Sequence, residues 1–107
     1  MTALQPAFRA LADPTRRDIL RLLSASDMTV GQVAGKFQMT RAAVKKHLVI
    51  LEEGDLIATR RSGRETINSL NAQALRPVFD WIGYFDRFWD DRLSDLKSTL
   101  ENGETPE

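Results

Sequence analysis

Six cations in two short runs are the side chains of this sequence best suited to chemistry: Arg41, Lys45 and Lys46, then Arg60, Arg61 and Arg64. Guanidinium and ammonium groups complement phosphate oxygens and the acceptor edges of guanine, so a cluster of them points to nucleic acid. No catalytic set competes with that reading. There is no cysteine, which excludes disulfides, thiolate zinc sites and a cysteine nucleophile. The one histidine, His47, has no catalytic partner near it in sequence, and Ser24, Ser26, Ser62 and Ser69 read as ordinary turn, cap and surface serines. An enzyme is not expected, nor is a cofactor. The formal net charge of zero hides a gradient: residues 30–64 hold seven Lys/Arg against three acids, whereas residues 80–107 hold three against eight. One end of the chain attracts phosphate and the other repels it.

The first run of cations needs a helix to carry it. Val44, Leu48 and Leu51 fall at i, i+4 and i+7 and share one face. The opposite face carries Ala42, Lys45, Lys46 and Val49, with Arg41 near the N-terminus. Thr40 suits the N-cap and Gly54 the left-handed position beyond the C-terminus. Glu52, Glu53 and Asp55 crowd the far end, away from phosphates. Taken alone, such a helix reads more readily as an ordinary amphipathic helix with a solvated basic side. Its neighbours decide otherwise. Thr29-Val-Gly-Gln32 has the form of a capping box, and Val30, Val33, Ala34 and Phe37 give a helix of barely two turns. Gly31 and Gly35 weaken it by about 1 kcal/mol at an interior position, and permit close approach to a neighbour. Gln38-Met39 leaves room only for a sharp turn into Thr40. Two helices so joined, the second with a basic outer face, make a helix-turn-helix.

After Gly54 the period changes to about 2. Leu56–Arg61 and Arg64–Leu70 predict a β-hairpin with Ser62-Gly63 as its turn, and arginines at the tip. A hairpin in that place is a wing, able to reach the DNA backbone or minor groove beside the helix. His47, about 60° from the core stripe, either donates to phosphate or fills the helix edge under the wing.

The remaining segments frame this core. Leu4, Phe8 and Leu11 predict a short helix over 3–11, with Pro6 in its first turn. Asp13-Pro14 starts the next helix, which turns Ile19, Leu20, Leu22 and Leu23 inward and Arg16, Arg17 and Arg21 outward, and ends by Ser24–Ser26. Asn71 caps a last helix of about 30 residues, about 45 Å long, ended by Gly103 and Pro106 with Glu104–Glu107 frayed. Leu75, Phe79, Ile82, Trp89, Leu93, Leu96 and Leu100 form one apolar stripe along it; Trp81, Phe85 and Phe88 form a second, with Tyr84 beside them. That surface exceeds what a small domain can cover. The surplus, with Leu4, Phe8 and Leu11, predicts a homodimer interface, an aromatic ligand pocket or a coiled-coil partner being the alternatives. The 107 residues suit one domain, with residues 12–70 as the DNA-binding core and 1–11 and 72–102 as dimerisation helices. No apolar run reaches the ~20 residues that span a bilayer and no signal peptide opens the chain, so a cytoplasmic protein without membrane partners is expected. The fold class predicted is mainly α with a small β-hairpin, a winged helix-turn-helix.

Leu11-Ala-Asp-Pro-Thr-Arg-Arg-Asp-Ile-Leu20, Thr29-Val-Gly-Gln-Val-Ala34, the Thr40–Leu56 stretch with Lys-His-Leu and Leu-Glu-Glu-Gly, and the arginine-rich hairpin together resemble the ArsR family of winged helix-turn-helix regulators. Tyr84-Phe-Asp-Arg-Phe-Trp89 is similar to the SdpR-like branch, which lacks the metal sites of the founding group. The resemblance implies a homodimeric repressor on double-stranded DNA with an inverted-repeat operator. By that resemblance Arg41, Ala42, Lys45 and Lys46 fall on base- and phosphate-facing positions, Arg60, Arg61 and Arg64 on the wing, and the first and last helices at the dimer interface. Gln38, Thr40 and His47 complete the expected DNA-binding set, with His47 equally a structural residue, and Leu4, Phe8, Leu11, Phe79, Ile82, Phe85, Trp89, Leu93 and Leu96 are the expected interface side chains. Thiolate sensors of the family carry cysteines where this chain reads Thr29–Phe37 and has none; another group pairs aspartate with histidine in the last helix, where this chain has aspartates alone. Asp86 and Asp90, at i and i+4, read as a solvated acidic face more readily than as a cation site. The signal is left to an unidentified partner protein or small ligand. A protein-interaction module on a winged-helix scaffold and a ligand-gated repressor are the competing readings.

Overall fold

A computed structural model describes residues 4–101, the side chains of 93, 94 and 101 excepted. Predicted features at residue 3, at the 102 boundary, and at Gly103, Glu104–Glu107 and Pro106 lie outside the described residues, as does the Leu93 side chain. The elements are α1 (Gln5–Leu11), α2 (Pro14–Ala25), β1 (Met28–Thr29), α3 (Val30–Phe37), α4 (Arg41–Glu53), β2 (Ile57–Ser62) and β3 (Glu65–Leu70). A 3₁₀ turn (Ala72–Leu75), α5 (Arg76–Gly83) and α6 (Asp86–Glu101) follow. The fold is the winged helix-turn-helix predicted.

Local chemistry starts the helices where the sequence signals it. Asp13 accepts from the Arg16 backbone N–H at 3.0 Å and Thr40 from that of Ala43 at 3.1 Å, each satisfying an N-terminal donor. Thr29 and Gln32 close a full capping box. The core forms where the apolar faces meet: Ile19, Val33, Val44, Leu51 and Leu56 are fully buried, with Leu20, Leu23, Ala34, Leu48 and Ile57 around them. α4 runs through the middle, against α1, α2 and α3.

Several details differ from the sequence reading. β1, which escaped it, pairs Met28 with Asn68 and Thr29 with Ile67, making a three-stranded antiparallel sheet in the order β1-β3-β2. Two residues carry too little pattern to predict a strand; the pairing is long-range. Asn68 beside it is 2% exposed and donates to the Met28 carbonyl at 3.2 Å. Ser62 pairs with Glu65, so the hairpin turn is Gly63-Arg64, with Gly63 at φ +64° as a tight two-residue turn favours. Gly54 is not left-handed (φ −84°); Asp55 takes that conformation at φ +61°. The absence of a side chain at Gly54 serves packing instead. A Cβ there would lie 2.9 Å from the Pro6 carbonyl oxygen and 3.1 Å from the Ala7 Cα. A Cβ on Gly35, by contrast, would meet nothing within 4 Å beyond its own helix.

The last helix is not continuous. Around Gly83 the bonding tightens: Tyr84 N–H is shared between the Asp80 and Trp81 carbonyls, and Phe85 N–H reaches Ile82. Glycine has poor helical propensity, and the i→i+3 bonds separate α5 from α6. Asn71 makes no side-chain cap; its amide donates to the Asp55 carbonyl at 2.9 Å, tying the end of β3 to the start of β2. Val78 is the one residue of α5 that is buried, and every described side chain of α6 except Thr99 is exposed.

Candidate nucleic-acid interface

The helix-turn-helix is closed by Gln38, whose left-handed backbone (φ 54°) ends α3 and sends the chain into the Thr40 cap. Gln38, Thr40, Arg41, Ala42, Lys45 and Lys46 are all exposed along this edge of the molecule. α4 and the hairpin enclose a groove of about 430 Å³. Arg41, Ala42 and Lys45 line it from α4, Arg64 and Thr66 from the hairpin, and Val30 and Gly31 from α3. The predicted cations therefore converge from two elements separated in sequence. Among the described residues, Arg41, Lys45, Lys46, Arg61 and Arg64 make no ion pair or side-chain hydrogen bond. Free cations facing a groove supply the field and donors that a polyanion needs. Two acids share the groove, Glu52 and Glu65, so the carboxylates are not confined to the far end of α4 as the sequence suggested.

The six hairpin and helix cations are not equivalent. Arg60 lies on the other side of the sheet, its guanidinium donating to Asp27 at 3.0 Å and to Ser69 at 3.0 Å. By strand alternation Arg61 shares the groove face with Thr59, Thr66 and Asn68. Lys46 is exposed but stands outside the groove lining.

His47 is half-buried and faces the start of α2, not the underside of the wing. Its Nδ1 lies 3.5 Å from the Arg16 guanidinium and 3.9 Å from the Asp13 carboxylate. Arg16, expected on an outer face, instead reaches back to the end of α1: Nε donates to the Ala10 carbonyl at 2.8 Å and an amino group to Arg9 at 2.9 Å. Arg17 donates to the Leu11 carbonyl at 2.6 Å. These two side chains bring donors to the carbonyls at the C-terminal end of α1, of which Arg9's also accepts from the Ala12 N–H. Nothing local marks Arg16 for that role; only the Asp13-Pro14 start, which fixes the direction of α2, hints at it. The Asp13 carboxyl sits below the ordinary carboxylate value, chiefly because it accepts the Arg16 backbone N–H, with nearby positive charge adding to this against the cost of desolvation.

The expected interface residues divide in the same way. Leu4 is buried in its own chain's core, and Phe8 and Leu11 pack half-buried beside it. Phe8 meets Trp81 edge-on with ring centroids 5.4 Å apart, joining α1 to α5. Phe79, Ile82, Phe85, Trp89 and Leu96 remain exposed, Phe79 by 68% and Trp89 by 60%. Among the described residues no group of three or more His, Cys, Asp or Glu side chains is gathered, and no helix is long and apolar enough to cross a membrane.

A family model described as a helix-turn-helix domain matches residues 11–60, the stretch from the end of α1 into β2. The transcriptional repressor SdpR of Bacillus subtilis is 37% identical over 86 residues, 80% of this chain and 96% of that protein. A crystal structure of an ArsR family transcriptional regulator superposes with a TM-score of 0.74 at 33% identity, covering 82% of this chain and 97% of the other. This chain belongs to the ArsR family of transcriptional regulators. The homodimeric winged helix-turn-helix DNA-binding domain of a Mycobacterium bovis protein has the same fold at 22% identity, with a TM-score of 0.67 and coverage of 80% of each chain. ArsR-family proteins of this kind are DNA-binding regulators and not enzymes.

Proposed function

We propose that this ArsR-family protein acts as a homodimeric repressor that occupies an inverted-repeat operator. The observation that carries the DNA-binding part is the convergence of Arg41, Lys45 and Arg64, none of them paired, on the groove between α4 and the hairpin. α4 enters a major groove, with Arg41 and Lys45 reading base edges and Lys46, Arg61 and Arg64 holding phosphates. Residues 12–70 form the DNA-binding core. α1, α5 and α6 carry the dimer contact, because Phe79, Ile82, Phe85 and Trp89 form an aromatic and aliphatic surface that remains exposed among the described residues. Two-fold pairing then sets two α4 helices about 34 Å apart, one helical turn of DNA. Repression is proposed because SdpR is a transcriptional repressor, as is the arsenical resistance operon repressor of Staphylococcus xylosus, 29% identical over 72 residues. Without thiolates or a histidine in the last helix, the donor set lacks the soft ligands that cysteine-based metal sensing requires.

Gel-shift titration against the DNA upstream of the protein's own gene, at two salt concentrations, tests the proposal. If the dimer neutralises roughly eight phosphates, log K falls with log salt at a slope of about −7. Salt-independent affinity, or a monomer with no affinity for DNA, would reject it in favour of a winged-helix module that binds protein.

A further inference from the structure

Gly31 is the second residue of α3, far in sequence from the cations of α4, yet it faces one of them. A Cβ built on Gly31 would lie 2.8 Å from a terminal nitrogen of Arg41 and 3.0 Å from its guanidinium carbon. The planar end of Arg41 thus rests directly on the backbone at the start of α3, in a seat that exists because residue 31 has no side chain. Both residues line the groove between α4 and the hairpin. No ion pair or side-chain hydrogen bond from a described residue holds the guanidinium there. The space above Gly31 is what the guanidinium occupies.

We infer that Gly31 is a positioning residue for sequence recognition: it is the floor that presents Arg41 to the bases. The inference rests on the proposed role of α4 as the reading helix. Glycine is otherwise a poor choice here, since a helical position filled by alanine gains conformational stability. A methyl group at residue 31 would meet the movable end of a long side chain and no backbone, so the chain can accommodate it by turning Arg41 aside. The fold would keep its stability while Arg41 loses its place. A bidentate contact to a base demands a fixed fork, whereas a phosphate contact tolerates a mobile one.

The test uses Gly31→Ala, Arg41→Ala and the double variant in the full-length chain. Duplexes enriched by the wild-type protein from a randomised pool serve as the specific probe, and an unselected duplex as the non-specific one. Gly31→Ala is expected to reduce the ratio of specific to non-specific affinity about five- to tenfold, at the lower end of the value of one good base contact. Its melting temperature does not fall. In the Arg41→Ala background the same change has no further effect on the ratio, as expected when one residue acts only through the other. Retained discrimination in Gly31→Ala, a further loss in the double variant, or a lowered melting temperature would each overturn the inference. If the wild-type protein enriches no sequence, the reading of α4 fails first; if it does and Arg41→Ala alone weakens discrimination, only the role of Gly31 is lost.

Discussion

Arg60 and Arg64 sit four residues apart at one hairpin tip, yet their surroundings assign them different work. Arg60 spends its donors on Asp27 and Ser69 on the far face of the sheet. Arg64, in the turn itself, lines the groove without an ion pair among the described residues. Arg64→Ala should weaken binding to every sequence alike and shallow the salt slope by about one; Arg60→Ala should leave the slope unchanged. Equal slopes in gel-shift titrations of the two variants would show that the Asp27 tether breaks on DNA. The presence of cations was legible from residue types alone. Which were already engaged was not, because Asp27 and Arg60 are brought together only by the pairing of β1 with β3, and Arg16 is recruited by the C-terminal end of α1.

At the scale of elements, three of the four expected N-caps and the apolar periodicity of α4 read true because they are local: the Asp13, Thr29 and Thr40 starts and the Val44–Leu48–Leu51 stripe stand where the sequence puts them, whereas Asn71 turns its amide to Asp55. What depends on contact between elements was misread. Gly54 was assigned a backbone conformation that Asp55 adopts, when its actual task is to let α1 lie on the end of α4. Gly54→Ala should therefore push the Pro6–Ala7 backbone outward and destabilise the fold by about 1–3 kcal/mol, a cost typical of overpacking. Urea unfolding would show it as a lower midpoint with unchanged slope. An unshifted midpoint would mean that α1 contributes little to stability. The break between α5 and α6 was hidden for a similar reason, since the apolar stripe continues across it while the backbone at Gly83 does not.

For the whole molecule, exposed aromatic surface is concentrated on α5 and α6, beyond the reach of the core beneath α4. Ile82 and Trp89 are 54% and 60% exposed and contribute nothing to their own chain's interior. Replacing both with aspartate should leave a cooperative thermal transition in place and convert the protein to a monomer in sedimentation experiments. A variant that still sediments as the wild type does would move the self-association surface elsewhere.

The two residues of β1 also have a reach out of proportion to their length. They stitch the strand carrying the hairpin's return, β3, to the segment that opens α3, so the wing is fastened to the body on its inner side as well as at its root. A wing fastened twice has less freedom to swing than one held only at its root. On the proposed role of α4 as the reading helix, the wing would meet the backbone at a set stride from it, and the protein would gauge groove shape as much as read letters.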